Sequence, residues 1–139
     1  MAITTTTGVT GRSKPRRLAL LVNRMIVSVH ALAIFGQPVF AGGYLSGDYD
    51  MLWPHRWGAD VVFSLGFVQL VTALVLWLLR GPVWLLIASL LIAAGETGQY
   101  FAGLAGALDL HVPLGVALVT AIVLTTVAVW RPQRWRVEG

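Results

Sequence analysis

Hydrophobic residues in this chain run in four long blocks, each nearly free of charge. A spanning helix needs roughly 20 mostly apolar residues, and the blocks at about 17–43, 55–79, 83–104 and 111–130 all reach that length. Helix breakers fall in the gaps: Gly42, Gly43 and Gly47, then Arg80-Gly81-Pro82, then Gly106 with Asp109, then Arg131-Pro132. Pro38 lies inside the first block, where a bend is expected. The connections are short, so neighbouring helices should run antiparallel. The pattern predicts an all-α fold, an integral membrane up-down-up-down four-helix bundle over 16–131. Residues 1–15 and 132–139 read as polar tails. The basic residues Arg12, Lys14, Arg16 and Arg17 precede the first block as they would in a secretory signal. That block continues to about residue 43, too long for a signal core, so a retained membrane helix is expected.

The pattern also repeats. Gly36-Gln37-Pro38-Val39-Phe40-Ala41-Gly42 leads through a loop to His55-Arg56-Trp57-Gly58. Gly98-Gln99-Tyr100-Phe101-Ala102-Gly103 leads through a shorter loop to His111-Val112-Pro113-Leu114-Gly115. Each copy is an apolar helix with a late Gln, a loop, then a His opening the next helix and a Gly one turn on. The bundle therefore reads as two helical-hairpin repeats.

Composition agrees with a bilayer as solvent. The chain is 57% hydrophobic and 12% charged, where soluble domains carry about 25% charged residues. There is no cysteine. That excludes disulfides, thiolate metal sites and cysteine nucleophiles, and leaves His, Asp and Glu as metal ligands. Of the net charge of +4, placement tells more than size. Basic residues collect at the two ends (Arg12 to Arg17, and Arg131, Arg134, Arg136) and at Arg80, while Asp48, Asp50 and Asp109 mark the other two loops. The positive-inside rule then puts both termini and the second loop in the cytoplasm of a multi-pass inner (plasma) membrane protein. All six tryptophans sit near helix ends, where an aromatic belt belongs. The basic clusters fit topology and anionic lipid, not nucleic acid.

Candidate chemistry rests on polar groups within the spans, which are costly there and usually mark a bundle interior or a cavity. His55 and His111 come first. Topology puts both at the outer ends of the second and fourth helices, diagonal partners in such a bundle. That arrangement suits bis-histidine ligation of haem iron or another metal; an interaction-only role stays open beside it. Gly58 and Gly115 would leave room for a flat macrocycle. Arg56 is placed to fork onto a propionate. Gln37 and Gln99 are placed to bond across helices or to orient the second imidazole nitrogen. His30 lies near mid-depth without a repeat mate, within reach of Glu96 for a structural hydrogen bond, a second ligand site or a proton relay. Glu96 is equally a helix-gluing carboxyl, a proton carrier or a quinone contact. Asp60 is expected to face an outer vestibule or to meet Arg56 one turn back, and Arg24 to snorkel to the cytoplasmic interface. Phosphate loops, zinc-protease, nucleophile-elbow and lipidation motifs are absent.

A Gln four or five residues before a Gly (Gln37 to Gly42, Gln99 to Gly103), followed by a loop and a helix-opening His, twice over about 30–125, resembles one four-helix half of haem A synthase. It is similar as well to small uncharacterised bacterial four-helix membrane proteins with the same paired-His pattern. The resemblance implies His55 and His111 as axial ligands of a haem. The synthase family's outer loops carry a functional Glu and often a cysteine pair, whereas the first loop here offers Asp48 and Asp50, and the chain is half the family's length. The implication is therefore a scaffold with a haem b site and not haem A synthesis; a half-length module is also suited to pairing with itself as a homodimer. The expected function is a haem-b-type membrane protein for electron transfer or haem handling near the outer face, acting with quinol or a larger respiratory complex. Two alternatives stand: a cofactor-free accessory subunit of a larger membrane complex, and a membrane enzyme or transporter using His30, Asp60 and Glu96 in a polar cavity. Whether the chain is an enzyme is left open by the sequence.

Overall fold

A computed structural model describes residues 14–132. The polar tails expected at 1–15 and 132–139 lie outside the described residues, apart from Lys14, Pro15 and Pro132. Four α-helices and one short 3-10 turn make up the chain: α1 (Lys14–Leu45), the turn Tyr49–Met51, α2 (Leu52–Leu78), α3 (Val83–Leu104) and α4 (Leu108–Trp130). All four helices are long and apolar enough to cross a membrane, the character of a multi-pass membrane protein. Their apolar residues are far from all being inside. Leu32 is 75% exposed and Leu91 67%. In water such a surface would drive aggregation, whereas lipid tails are as apolar as the side chains themselves.

The helices begin and end for local reasons. α2 and α4 each start three residues before their histidine. Pro54 sits in the first turn of α2, where a missing N–H costs nothing. Hence His55 and His111 lie within their first turns and do not open them, as the sequence suggested. α1 runs on through Pro38 without a break. The three connections share one closing geometry. After α1 the Asp48 N–H reaches Gly43 O and the Gly47 N–H reaches Tyr44 O. After α2, Gly81 reaches Leu76 and Arg80 reaches Trp77; after α3, Ala107 reaches Ala102 and Gly106 reaches Gly103. These crossed bonds are Schellman caps, which require a left-handed residue. Gly47 and Gly106 supply it without steric cost, but in the second connection Arg80 adopts φ 62° itself.

Each helix packs against its two chain neighbours, and α1 also packs against α4. One apolar cluster joins Ala31, Ile34, Val62, Ile92, Leu118 and Ile122, and another joins Leu20, Leu76, Leu85 and Val129 near the opposite end. Small residues let the helices approach. Gly66 on α2 lies directly against the Glu96 carboxylate on α3, and a methyl there would overlap it. The second cluster is braced by Arg24, whose Nε donates to Val129 O at 2.9 Å and whose guanidinium lies 5.0 Å from the centre of the Trp130 ring. Arg24 therefore reaches the carbonyl end of α4, where a helix dipole favours a cation.

Candidate functional site

Two separate polar arrangements occupy the space between the helices. The first is enclosed. His30, Gln69, Ser89 and Asn23 are completely buried, and Glu96 is 4% exposed. Gln69 Nε2 donates to Ser89 Oγ at 3.2 Å, which turns its Oε1 toward His30 Nδ1 at 2.9 Å. Since an amide oxygen only accepts, His30 Nδ1 must carry a proton. On the other side of the ring, Nε2 stands 2.7 Å from Glu96 Oε1. The approach is short enough for an ion pair although it is not aligned as a straight hydrogen bond. Two unprotonated lone-pair groups would repel at that distance. One proton lies in the gap, either on an imidazolium facing a carboxylate or on a carboxyl facing a neutral ring. In both forms the pair has no net charge, the state that an apolar core tolerates. A second link lies one turn toward the chain ends of α1 and α2, where Asn23 Nδ2 donates to Thr72 Oγ1 at 3.0 Å and that hydroxyl donates to Gln69 O.

The second arrangement lies at the end of the helices where the first and third connections run. His55 on α2 and His111 on α4 face each other with ring centroids 6.2 Å apart and planes at 75°. Each is anchored from the preceding helix. His55 Nδ1 lies 3.3 Å from Gln37 O, and His111 Nδ1 lies 3.0 Å from Gln99 O. A backbone carbonyl can only accept, so both Nδ1 atoms carry a proton, and in the neutral ring the lone pair lies on Nε2. The sequence pointed to the right glutamines for orienting the rings but to the wrong atoms: the peptide oxygens do it. The Gln37 and Gln99 side chains instead lie over Gly58 and Gly115, whose missing Cβ atoms their amide nitrogens occupy. Those glycines therefore seat amides, where the sequence reading reserved them for a macrocycle. Gln37 Nε2 and Gln99 Oε1 are buried without a hydrogen-bond partner. Gly103 lies against the His111 ring, and a methyl there would come within 2.9 Å of its Cε1.

The remaining candidates divide plainly. Arg56 is exposed at the start of α2, and among the described residues no ion pair joins it to Asp60. Asp60 accepts instead from the Tyr100 hydroxyl at 2.8 Å. It lies on an exposed face, away from the enclosed His30–Glu96 pair, so the structure does not bring these three residues into one cavity. Sequence reading gave no role to Gln69, Ser89, Asn23 or Tyr100. Gln69 carried a signal as an amide in the middle of an apolar span; the other three needed the neighbouring helix.

The pair of histidines can be tested as a metal site from its own geometry. A metal bonded at roughly 2 Å to one nitrogen of each ring would set the centroids about 6 Å apart, since a ring nitrogen lies about 1 Å from its centroid. The observed separation meets that value, and the anchored Nδ1 leaves the ligating tautomer at Nε2. Among the described residues no group of three His, Cys, Asp or Glu could hold a metal ion. A bare ion needs three or four protein ligands, more than this pair supplies. The chain matches no known protein family, no curated protein and no solved structure.

Proposed function

We propose that this chain is an inner-membrane haem-b-type protein that transfers electrons or handles haem near the outer face of the membrane. The observation that carries the reading is two imidazoles 6.2 Å apart, each with Nδ1 tied to a carbonyl so that Nε2 is the nitrogen free to ligate. His55 and His111 would hold the haem iron, and bound haem would supply a one-electron couple. Gln37 and Gln99 fix the tautomers through their carbonyls. Arg56, exposed on the first turn of α2, is the cation nearest in sequence for a propionate. The order of helix contacts supports an up-down-up-down bundle made of two hairpin repeats, with one Gln–His–Gly set in each. The basic flanks support cytoplasmic termini, which puts the histidines on the outer side. Quinol or a larger respiratory complex is the electron partner in this reading. A second copy of the chain is a further candidate, because so much apolar surface faces outward.

One observation favours a second reading. Ring pairs at this separation also attract edge to face without any metal, as they would in a cofactor-free accessory subunit of a larger membrane complex. An absorption spectrum separates the two. The protein purified from haem-supplemented cells should show a Soret band that shifts on reduction, and His55→Ala and His111→Ala should each abolish it. A folded, colourless protein under those conditions overturns the haem assignment.

A further inference from the structure

The lipid-facing side of α2 carries an anomaly. From Gly58 to Leu78 its exposed residues are apolar except for Asp60 and Ser64, one turn apart. Asp60 lies five residues from the middle of the helix, about 7.5 Å along the axis, and so within a hydrocarbon half-thickness of about 15 Å. A carboxyl facing lipid at that depth is costly and calls for a partner. Tyr100 on α3 satisfies Oδ1, and Oδ2 has no hydrogen bond among the described residues. Ser64 spends its hydroxyl on the Asp60 carbonyl. Beside the carboxyl, four aromatic rings form one continuous surface. Phe63 stands 5.1 Å from Tyr100 and 5.0 Å from Phe67, and Tyr100 stands 6.1 Å from Phe101. Phe67 and Phe101 are open to the lipid.

We propose that this face binds the head group of a membrane hydroquinone. The ligand must be flat and apolar, must reside in the bilayer, and must offer an O–H group to the unpaired Oδ2, which accepts it where the carboxyl is ionised. A hydroquinone has all of these, with its tail left in lipid. The oxidised quinone has no O–H to offer, so the site should select the reduced form. A second copy fits less well, because a two-fold contact through this face would set Asp60 against Asp60. Asp60 is five residues from His55 on the same helix. The site thus gives the electron-transfer reading its donor class; it rests on that reading for its purpose but not for binding.

The two can fail separately. Titrate the protein in lipid nanodiscs, without added haem, with a short-chain 1,4-naphthohydroquinone kept reduced, and read the heat of binding. Saturable binding is expected. It should weaken about tenfold for the dimethyl ether of the probe and for Asp60→Ala, and about threefold for Tyr100→Phe. Asp60 is exposed, so Asp60→Ala should keep its helical content by circular dichroism. Absent saturation, equal binding of the ether, or an unaffected Asp60→Ala overturns the proposal. The chain has no cysteine, so Ser64→Cys gives a clean check: full disulfide cross-linking to a second chain would assign the face to a dimer and overturn it too. A colourless protein that binds the probe removes the haem reading alone.

Discussion

The enclosed His30–Glu96 pair and the His55–His111 pair use the same residue type to opposite ends. His30 has both ring nitrogens committed, one to Gln69 and one to Glu96, and nothing in it is left to act on a ligand. His55 and His111 have only one nitrogen committed each. The difference comes from what the neighbouring helix presents. Opposite His30 stand side chains with acceptor oxygens, brought in by Gly66 and the amide of Gln69. Opposite each outer histidine stands a peptide carbonyl on one side and the other imidazole on the other. Burial of a histidine in an apolar span therefore says little about its role until its second nitrogen is accounted for.

Substitutions can break that contrast. The largest effect on stability is expected from His30→Ala, which leaves Glu96, Gln69 and a cavity unpaired at once. It should cost about 3–5 kcal/mol, read as a lowered unfolding temperature in detergent, while on the proposed haem reading any fraction that stays folded keeps the Soret band of the His55–His111 pair. If His30→Ala abolished the Soret band in folded protein, the two arrangements would be one site. Next comes Gly66→Ala, whose methyl meets the Glu96 carboxylate. Overpacking of this kind costs about 1–3 kcal/mol. The same change at Gly115 should cost less than 1 kcal/mol, because it meets only the end of the Gln99 side chain, 2.9 Å from the added methyl. Equal melting temperatures for Gly66→Ala and Gly115→Ala would show that the enclosed region is no tighter than the other. An effect of similar size and opposite sign lies outside both. Arg80→Gly relieves a left-handed non-glycine residue at a helix cap and should stabilise by about 1 kcal/mol in the same melting assay.

Much of this was legible before any coordinates. Four apolar blocks of spanning length and the breakers between them came straight from composition and spacing. The His-bearing helices start one turn earlier than their apolar runs, because Pro54 is acceptable inside a first turn and Leu108 follows directly on a glycine-closed cap. Glu96 as a reachable partner for His30 followed from depth alone. Arg56 as the partner of Asp60 did not hold in the structure: i, i+4 spacing makes the contact available, but Tyr100 on the neighbouring helix takes it.

What the sequence determined by itself is the solvent this protein lives in and the number of times its chain is long enough to cross it, since both depend on hydrophobicity summed over a window. It also carried the order Gln, loop, His, Gly twice, at Gln37–Gly58 and at Gln99–Gly115, with different spacings in the two copies. What only the tertiary structure decided is which atoms do the work. Gln37 and Gln99 act through carbonyls, their side chains lie over two glycines, and Asp60 stays exposed and pairs with a tyrosine from the next helix. Those outcomes depend on the rotation of each helix about its axis. Rotation is set by packing between helices, and an apolar span that is hydrophobic on every side carries almost no record of it.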